Sequence, residues 1–281
     1  MILARNSLIG RFGRHYPAVA GLFLLALVVA MALLAPVLFP QGPWRMVGRP
    51  QLWPGQNPRF PLGTDILGRD LLACLFYGAR VSLLIGLSAT LAATLIGTVI
   101  GAAAGFFGGR VDRLLMGFTE IFQTTPPFVL AVVVVAAFTP SLASIIVAIS
   151  LVSWPPLARL VRAQFLQLLP REFVLAGIVM GMSNTRLIVT QLLPNALTPI
   201  IVSSSLMIAS AILLEAGLSF LGLGDPNAMS WGYMIGVGRE VLRTDWFITT
   251  IPGLAVLLAV LAINLVGEGL NDALNPRSRN R

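Results

Sequence analysis

Six separate apolar runs constrain this chain more than any other feature. They lie at roughly 17–39, 81–107, 114–138, 142–161, 197–221 and 247–269. About 20 apolar residues in a helix cross the hydrocarbon core of a bilayer. Several runs reach that length, and core packing alone would not need so many. The expected fold class is all-α, a polytopic membrane protein with six transmembrane helices. Composition agrees: 57% of the 281 residues are hydrophobic and 11% are charged, against about 25% charged in a soluble domain. The first run follows Arg5, Arg11 and Arg14, as the core of a signal peptide would. It is about 20 residues long and lacks a clean small-x-small cleavage site, so it reads as a retained first span.

Arginine sets the expected orientation. All nineteen basic residues are arginine, the formal charge is +8, and the arginines lie between apolar runs. They read as topology determinants and headgroup contacts, so membrane lipid is an expected partner and nucleic acid is not. With the N-terminus inside, the inner segments hold Arg5, Arg11, Arg14, Arg110, Arg113, Arg159, Arg162, Arg171, Arg186, Arg277, Arg279 and Arg281. The outer segments hold Arg45, Arg49, Arg59, Arg69, Arg80, Arg239 and Arg243. The positive-inside rule therefore expects both termini in the cytoplasm. The outer loop 40–80 runs against that bias, although Asp65 and Asp70 partly offset its arginines. Its proline and glycine argue for ordered turns rather than long strands. In the second outer segment, 222–246, Trp231, Tyr233 and Trp246 suit an interfacial aromatic belt. A short re-entrant or surface helix is expected at 230–243.

Within the spans, Trp154, Pro155 and Pro156 should kink the fourth helix or end it early. Gly97, Gly101, Gly105 and Gly109 recur every four residues. Such a smooth stripe lets helices approach closely in lipid and supports packing more than a pore. Glu120 stands near the inner start of the third span, and Glu215 about two turns from the outer end of the fifth. Asn264 and Glu268 lie toward the inner end of the sixth. Intramembrane acids are costly. These groups either line a route or anchor helix ends, and their positions favour anchoring. Ser203, Ser204 and Ser205 either pack against a partner or wet a channel wall. No acid sits at a midplane and no Asp/Glu/His relay is visible, which weakens an ion-coupled carrier.

No GxxxxGK[ST] occurs, and there is no lysine to complete one. HExxH, CxxC and GxSxG are absent too. The lone Cys74 excludes an intramolecular disulfide or a cysteine-cluster metal site. The lone His15 reads as interfacial. Catalysis by this polypeptide is not expected, nor is a bound cofactor or metal. Active transport would have to draw its energy from another chain.

The segment 162–194, RAQFLQLLPREFVLAGIVMGMSNTRLIVTQLLP, is amphipathic although spans bound it. Pro170 suits the opening of a helix, and Glu172 places negative charge in its first turn. Phe173, Ala176, Gly177 and Met180 follow at offsets of three and four, forming an apolar face with a small notch. Gly181 can take the left-handed conformation that stops a helix. Ser183 or Asn184 can cap the next helix, which Pro194 is expected to close. Such a helix-turn-helix suits docking into a groove of a soluble partner. The alternative is a helix resting on the membrane surface.

The segment resembles the cytoplasmic loop of bacterial binding-protein-dependent ABC importer permeases. The shared pattern is Glu172, Ala176, Gly177 and Gly181, then Leu193-Pro194-Asn195, with glycine at 177 where the family has a second alanine. Pro61-Leu62-Gly63-Thr64-Asp65 with Gly68-Arg69-Asp70 narrows the likeness to the C-type subunit of the dipeptide/oligopeptide/nickel family. So do Gly105 to Asp112, Phe220-Leu221-Gly222-Leu223-Gly224 with Trp231-Gly232, and Asn264 to Leu270 followed by Asp272 and Asn275-Pro276-Arg277. Glu268 and Asn275 stand where the family usually has aspartate.

This resemblance implies a type I ABC importer permease fold in the bacterial inner (plasma) membrane. It implies a cytoplasmic N-terminal segment 1–16 and a permease domain 17–269. That domain contains the outer loop 40–80 and ATPase-coupling helices at 162–194, built on Glu172, Phe173, Ala176, Gly177, Gly181, Leu193 and Pro194. A cytoplasmic tail, 270–281, follows. The implied partners are a homologous B-type permease, two ATPase subunits or domains that hold the ATP and Mg2+, and a periplasmic or lipid-anchored binding protein. The implied cargo is a dipeptide or oligopeptide. Nickel chelates, glutathione or another small peptide-like solute are the alternatives, and a non-transporting scaffold or sensor is a third reading.

Overall fold

The computed structural model describes residues 15–274. The arginines at 5, 11, 14, 277, 279 and 281, and the block 275–277, lie outside the described residues.

Helix α1 spans Tyr16–Leu38. His15 caps it: Nδ1 accepts the backbone N–H of Ala18 at 3.3 Å, while Nε2 stands 3.4 Å from Asp272 Oδ2. Helix α2, Leu71–Phe107, begins ten residues before the expected span. Asp70 caps it, accepting the Leu72 N–H at 3.0 Å. Its first turns are buried under the outer loop instead of facing lipid, so hydropathy alone underestimates its length.

The expected third span is two helices, α3 (Gly109–Thr124) and α4 (Pro127–Ala137), bent by 86°. Pro126 and Pro127 supply no backbone donor, and a residue before proline is pushed to extended geometry. Thr125 adopts it, with ψ 134°. The reverse correction applies to α5, Leu142–Leu168, which runs through Pro155 and Pro156 to a point seven residues beyond the expected end. The prolines therefore do not end the helix early, and Trp154 beside them is buried against the rings of Phe118 and Phe122, at 5.9 and 5.3 Å.

After α5 come α6 (Glu172–Val179) and α7 (Asn184–Leu187). A π-helical turn, Ile188–Leu192, joins α7 to α8 (Leu193–Phe220). Pro194 therefore does not close a helix. It comes just after the π-helical turn, where the regular bonding ladder is already interrupted, and 184–220 is one helical rod. Helix α9, Trp231–Gly238, precedes a single 3-10 turn and the final helix α10, Phe247–Leu274.

Among the described residues, five helical rods are long and apolar enough to span a bilayer, and α3 with α4 makes a sixth if the bent pair counts as one. The protein is thus an all-α polytopic membrane protein. Glycine decides its main seam. A Cβ on Gly97 would lie 2.9 Å from the Trp154 carbonyl oxygen, and one on Gly105 would lie 2.7 Å from Phe165 Cβ. Gly101 approaches the Ala158 carbonyl in the same way. Gly109 leaves the stripe: it has φ +54° at the α2–α3 turn and no neighbour within 4 Å of a built Cβ.

The outer loop forms a compact cap of turns, 39–70, with isolated bridges such as Met46 to Arg69 and Thr64 to Asp70. Gly63 and Gly68 have positive φ and press on the Leu52 and Gly48 carbonyls. Asp65 pairs with Arg69 inside the cap, and its other oxygen accepts the N–H groups of Leu67 and Arg69 at 2.9 Å. The Arg69 guanidinium lies over the Trp44 and Tyr233 rings at 5.4 and 5.7 Å.

Candidate functional site

Two places carry more than packing: the hairpin at one end of the bundle, and the seat of α9 at the cap end. In the hairpin, Arg171 is the N-cap of α6 and Glu172 its first residue, so Pro170 stands just outside it. Met182 N–H donates to the Gly177 carbonyl and Gly181 N–H to that of Ile178, both at 3.0 Å. With Gly181 at φ +73°, this pair of bonds closes the helix C-terminus. Ser183 then caps α7, accepting the Arg186 N–H at 3.4 Å.

The apolar face read from the sequence divides between solvent and core. Val174 and Gly177 are buried, whereas Phe173, Ala176 and Met180 point outward. Gly177 is the notch: a Cβ there would meet Leu187 Cδ2 at 2.8 Å. Phe173, Leu175, Ile178, Val179 and Met180 form an exposed apolar ridge, with Val179 87% and Met180 74% exposed. Leu193 is half-buried and Pro194 exposed. Next to the hairpin, Arg162 on α5 pairs with Asp112 on α3 through Nε to Oδ1 and Nη2 to Oδ2, the latter at 2.6 Å. Fifty residues separate the two, so no local pattern announced the pairing.

At the cap end, Glu215 on α8 is 1% exposed. Its Oε1 accepts hydroxyl protons from Ser219 at 2.8 Å and Ser230 at 2.6 Å. Ser230 also caps α9, accepting the Tyr233 N–H at 2.9 Å. Trp231 is fully buried, which removes it from the expected interfacial belt. Its indole N–H donates to the Leu75 carbonyl at 2.9 Å and its backbone N–H to Ser82 Oγ at 3.1 Å. Gly232 lets α9 lie flat on α8, since a Cβ there would fall 2.7 Å from Glu215 Oε1. Tyr233 instead meets the Trp44 ring at 5.5 Å, and Trp246 is exposed.

The remaining candidates are dispersed. Glu120 on α3 and Asn264 and Glu268 on α10 are exposed on the isolated chain. Ser203, Ser204 and Ser205 are half-buried. Ser204 Oγ is 2.9 Å from Thr94 Oγ1 on α2, and Ser205 donates to the Val202 carbonyl at 2.8 Å. Among the described residues, no three His, Cys, Asp or Glu side chains converge on a metal-sized site.

The bundle and hairpin define a class, the membrane-spanning permease of an ABC transporter. The fold matches the inward-facing MetNI methionine ABC transporter with a TM-score of 0.59 at 18% identity, over 72% of this chain and 96% of that one. An amino acid ABC transporter with histidines matches with a TM-score of 0.57 at 15% identity, over 72% and 94%. The chain belongs to the family described as binding-protein-dependent transport system inner membrane component, whose model matches residues 97–280. The N-terminal TM domain of oligopeptide transport permease C matches residues 7–56.

Named relatives cover nearly the whole chain. The di/tripeptide transport system permease protein DppC of Pseudomonas aeruginosa is 41% identical over 275 residues, 96% of this chain and 91% of its own length. The dipeptide permease DppC of Bacillus subtilis is 38% identical over 271 residues, 96% and 84%. The oligopeptide permease OppC of Haemophilus influenzae is 36% identical over 274 residues, 96% and 87%. The chain is a multi-pass inner-membrane permease subunit of an ABC importer and is not itself an enzyme. Membership of the family implies partner ATPases, which hydrolyse the ATP, and a binding protein.

Proposed function

We propose that this chain is the C-type permease of a peptide importer and carries dipeptides or oligopeptides delivered by a periplasmic or lipid-anchored binding protein. It pairs with a homologous B-type permease, each contributing six spans of the type I arrangement, with α3 and α4 together as one of this chain's six. Its termini and hairpin face the cytoplasm, where the distribution of arginine favours them. The hairpin couples to the ATPase subunits. One observation carries this reading: the outward ridge of α6 is apolar and uncovered by any of the described residues, and α7 continues without a break into the 37-residue rod 184–220. A push on α6 is thereby delivered along α8. The names of the relatives over almost the full chain support a peptide cargo.

The test is reconstitution of the four-part importer in liposomes with its binding protein. Labelled di- and tripeptides should accumulate in an ATP-dependent way. Gly181→Ala should keep the complex assembled but reduce binding-protein-stimulated ATP hydrolysis. Gly181→Asn should reduce it less, because asparagine tolerates positive φ. Normal stimulation in Gly181→Ala and in Glu172→Ala would sink the coupling assignment. ATP-driven uptake of a nickel chelate but of no peptide would sink the cargo.

A further inference from the structure

We propose that the groove between the outer end of α1 and the cap binds the phosphate of an anionic phospholipid. A cavity of about 220 Å³ opens there. Leu38, Phe39, Phe60 and Ala73 give it an apolar floor, and Arg45 and Arg59 reach it from two separate turns of the cap. Neither arginine has an ion-pair partner among the described residues. Of the acids in the cap, one is committed elsewhere and one lines the cavity itself. Asp65 is spent on Arg69 and on backbone N–H groups. Asp70 also lines the cavity, but one of its oxygens caps α2. Burial pushes its carboxyl above the ordinary range, against the pull of the backbone N–H bonds.

Two guanidinium groups against the one carboxyl of Asp70 leave the cavity net positive, and beside an apolar floor they match an anion that carries hydrocarbon. Guanidinium presents its donors in the fork geometry that phosphate oxygens accept. The hydrocarbon has a path. Leu33 and Val37, 70% and 71% exposed, lie one turn apart on α1, as do Leu34 and Leu38. This flank ends at the cavity mouth, so an acyl chain can lie on α1 while its phosphate sits between the arginines. Free phosphate shares the anion chemistry but gains nothing from the floor or the flank. An acidic protein surface would likewise leave both uncovered.

Native mass spectrometry of the assembled importer in detergent tests the site, with phosphatidylglycerol and phosphatidylcholine of identical acyl chains as probes. The wild-type complex should prefer phosphatidylglycerol by about tenfold, since two arginines alone would give about thirtyfold and the Asp70 carboxyl in the same cavity opposes them. Arg45→Gln with Arg59→Gln should lower the ratio to about one in an intact complex, whereas Arg80→Gln, an exposed arginine outside the cavity, should leave it unchanged. Equal binding of the two lipids by wild type, or an unchanged ratio in the double variant, overturns the proposal. An equal loss in Arg80→Gln also overturns it, because the effect is then diffuse surface charge. Displacement of phosphatidylglycerol by equimolar inorganic phosphate assigns the cavity to the free anion and refutes the lipid. If the double variant weakens binding-protein affinity in phosphatidylcholine nanodiscs while lipid preference stays intact, the arginines serve protein docking and the proposal fails.

Discussion

Gly105→Ala tests whether the α2–α5 seam holds the bundle together. The added methyl carbon would stand 2.7 Å from Phe165 Cβ, 3.0 Å from the Arg162 carbonyl oxygen and 3.2 Å from Arg162 Cα. None of these atoms is the free end of a flexible side chain. Ordinary contact begins near 3.4 Å, so the helices must part by about 0.7 Å or bend, and overpacking of this kind costs about 1–3 kcal/mol. Alanine also gains about 1 kcal/mol over glycine in helix propensity. Gly253→Ala cancels that gain. Gly253 lies inside α10, and a Cβ there meets nothing within 4 Å. The difference between the two variants isolates the seam and should be about 1–3 kcal/mol. Heating the purified complex in detergent and following retention on a sizing column gives the comparison. Gly105→Ala should melt several degrees below Gly253→Ala. Equal midpoints would show that close approach at Gly105 contributes nothing, and the packing argument for the stripe would fail with it.

Three further outcomes follow from the cap and from α9. Arg69→Leu strands Asp65 in the cap interior and should cost about 3–5 kcal/mol, seen as faster hydrogen exchange over 46–70, while Asp65→Leu with Arg69→Leu loses less; equal exchange in the single and double variants would argue against the ion pair. Ser230→Ala removes one hydroxyl from Glu215 and the cap of α9 together, so exchange over 231–238 should rise by the equivalent of about 1–3 kcal/mol, and Ser230→Thr should restore most of it. Burial raises the Asp70 carboxyl above its ordinary 3.8, so the folded cap binds a proton more readily than the unfolded chain and loses stability as pH rises from 3.8 through the raised value. Asp70→Asn keeps the helix cap without the charge, and its melting advantage over wild type should grow with pH across that window and vanish below it. An advantage independent of pH would contradict the buried-carboxyl account.

Much of the fold was legible because the relevant forces are local. Apolar run length located α1, α5, α8 and α10, because the lipid requirement acts on each segment separately. The hairpin was legible for the same reason: a left-handed turn at Gly181 and a hydroxyl cap at Ser183 are properties of a few adjacent residues. The errors fell where distant partners decide. Which residues α6 turns inward is not legible in its periodicity, because Val174 joins a core cluster with Phe165, Leu192 and Ala196 from distant elements. Trp231 was assigned to the interface by residue type, yet Leu75 and Ser82 offer its N–H groups buried partners. The pairing of Glu215 with Ser230 needed α9 folded back on α8.

By itself the sequence determined a helical membrane bundle with a glycine-turned hairpin and no nucleotide motif, because hydrocarbon thickness, glycine conformation and short motifs can be read one segment at a time. Only the tertiary structure decided which prolines break a helix. Thr125-Pro126-Pro127 breaks the helix and bends the chain by 86°, whereas Pro155 and Pro156 stay within one continuous helix. Both pairs lack the same backbone donors. Trp154 and the α2 glycines hold α5 against its neighbours at one site, whereas Pro126 and Pro127 are exposed.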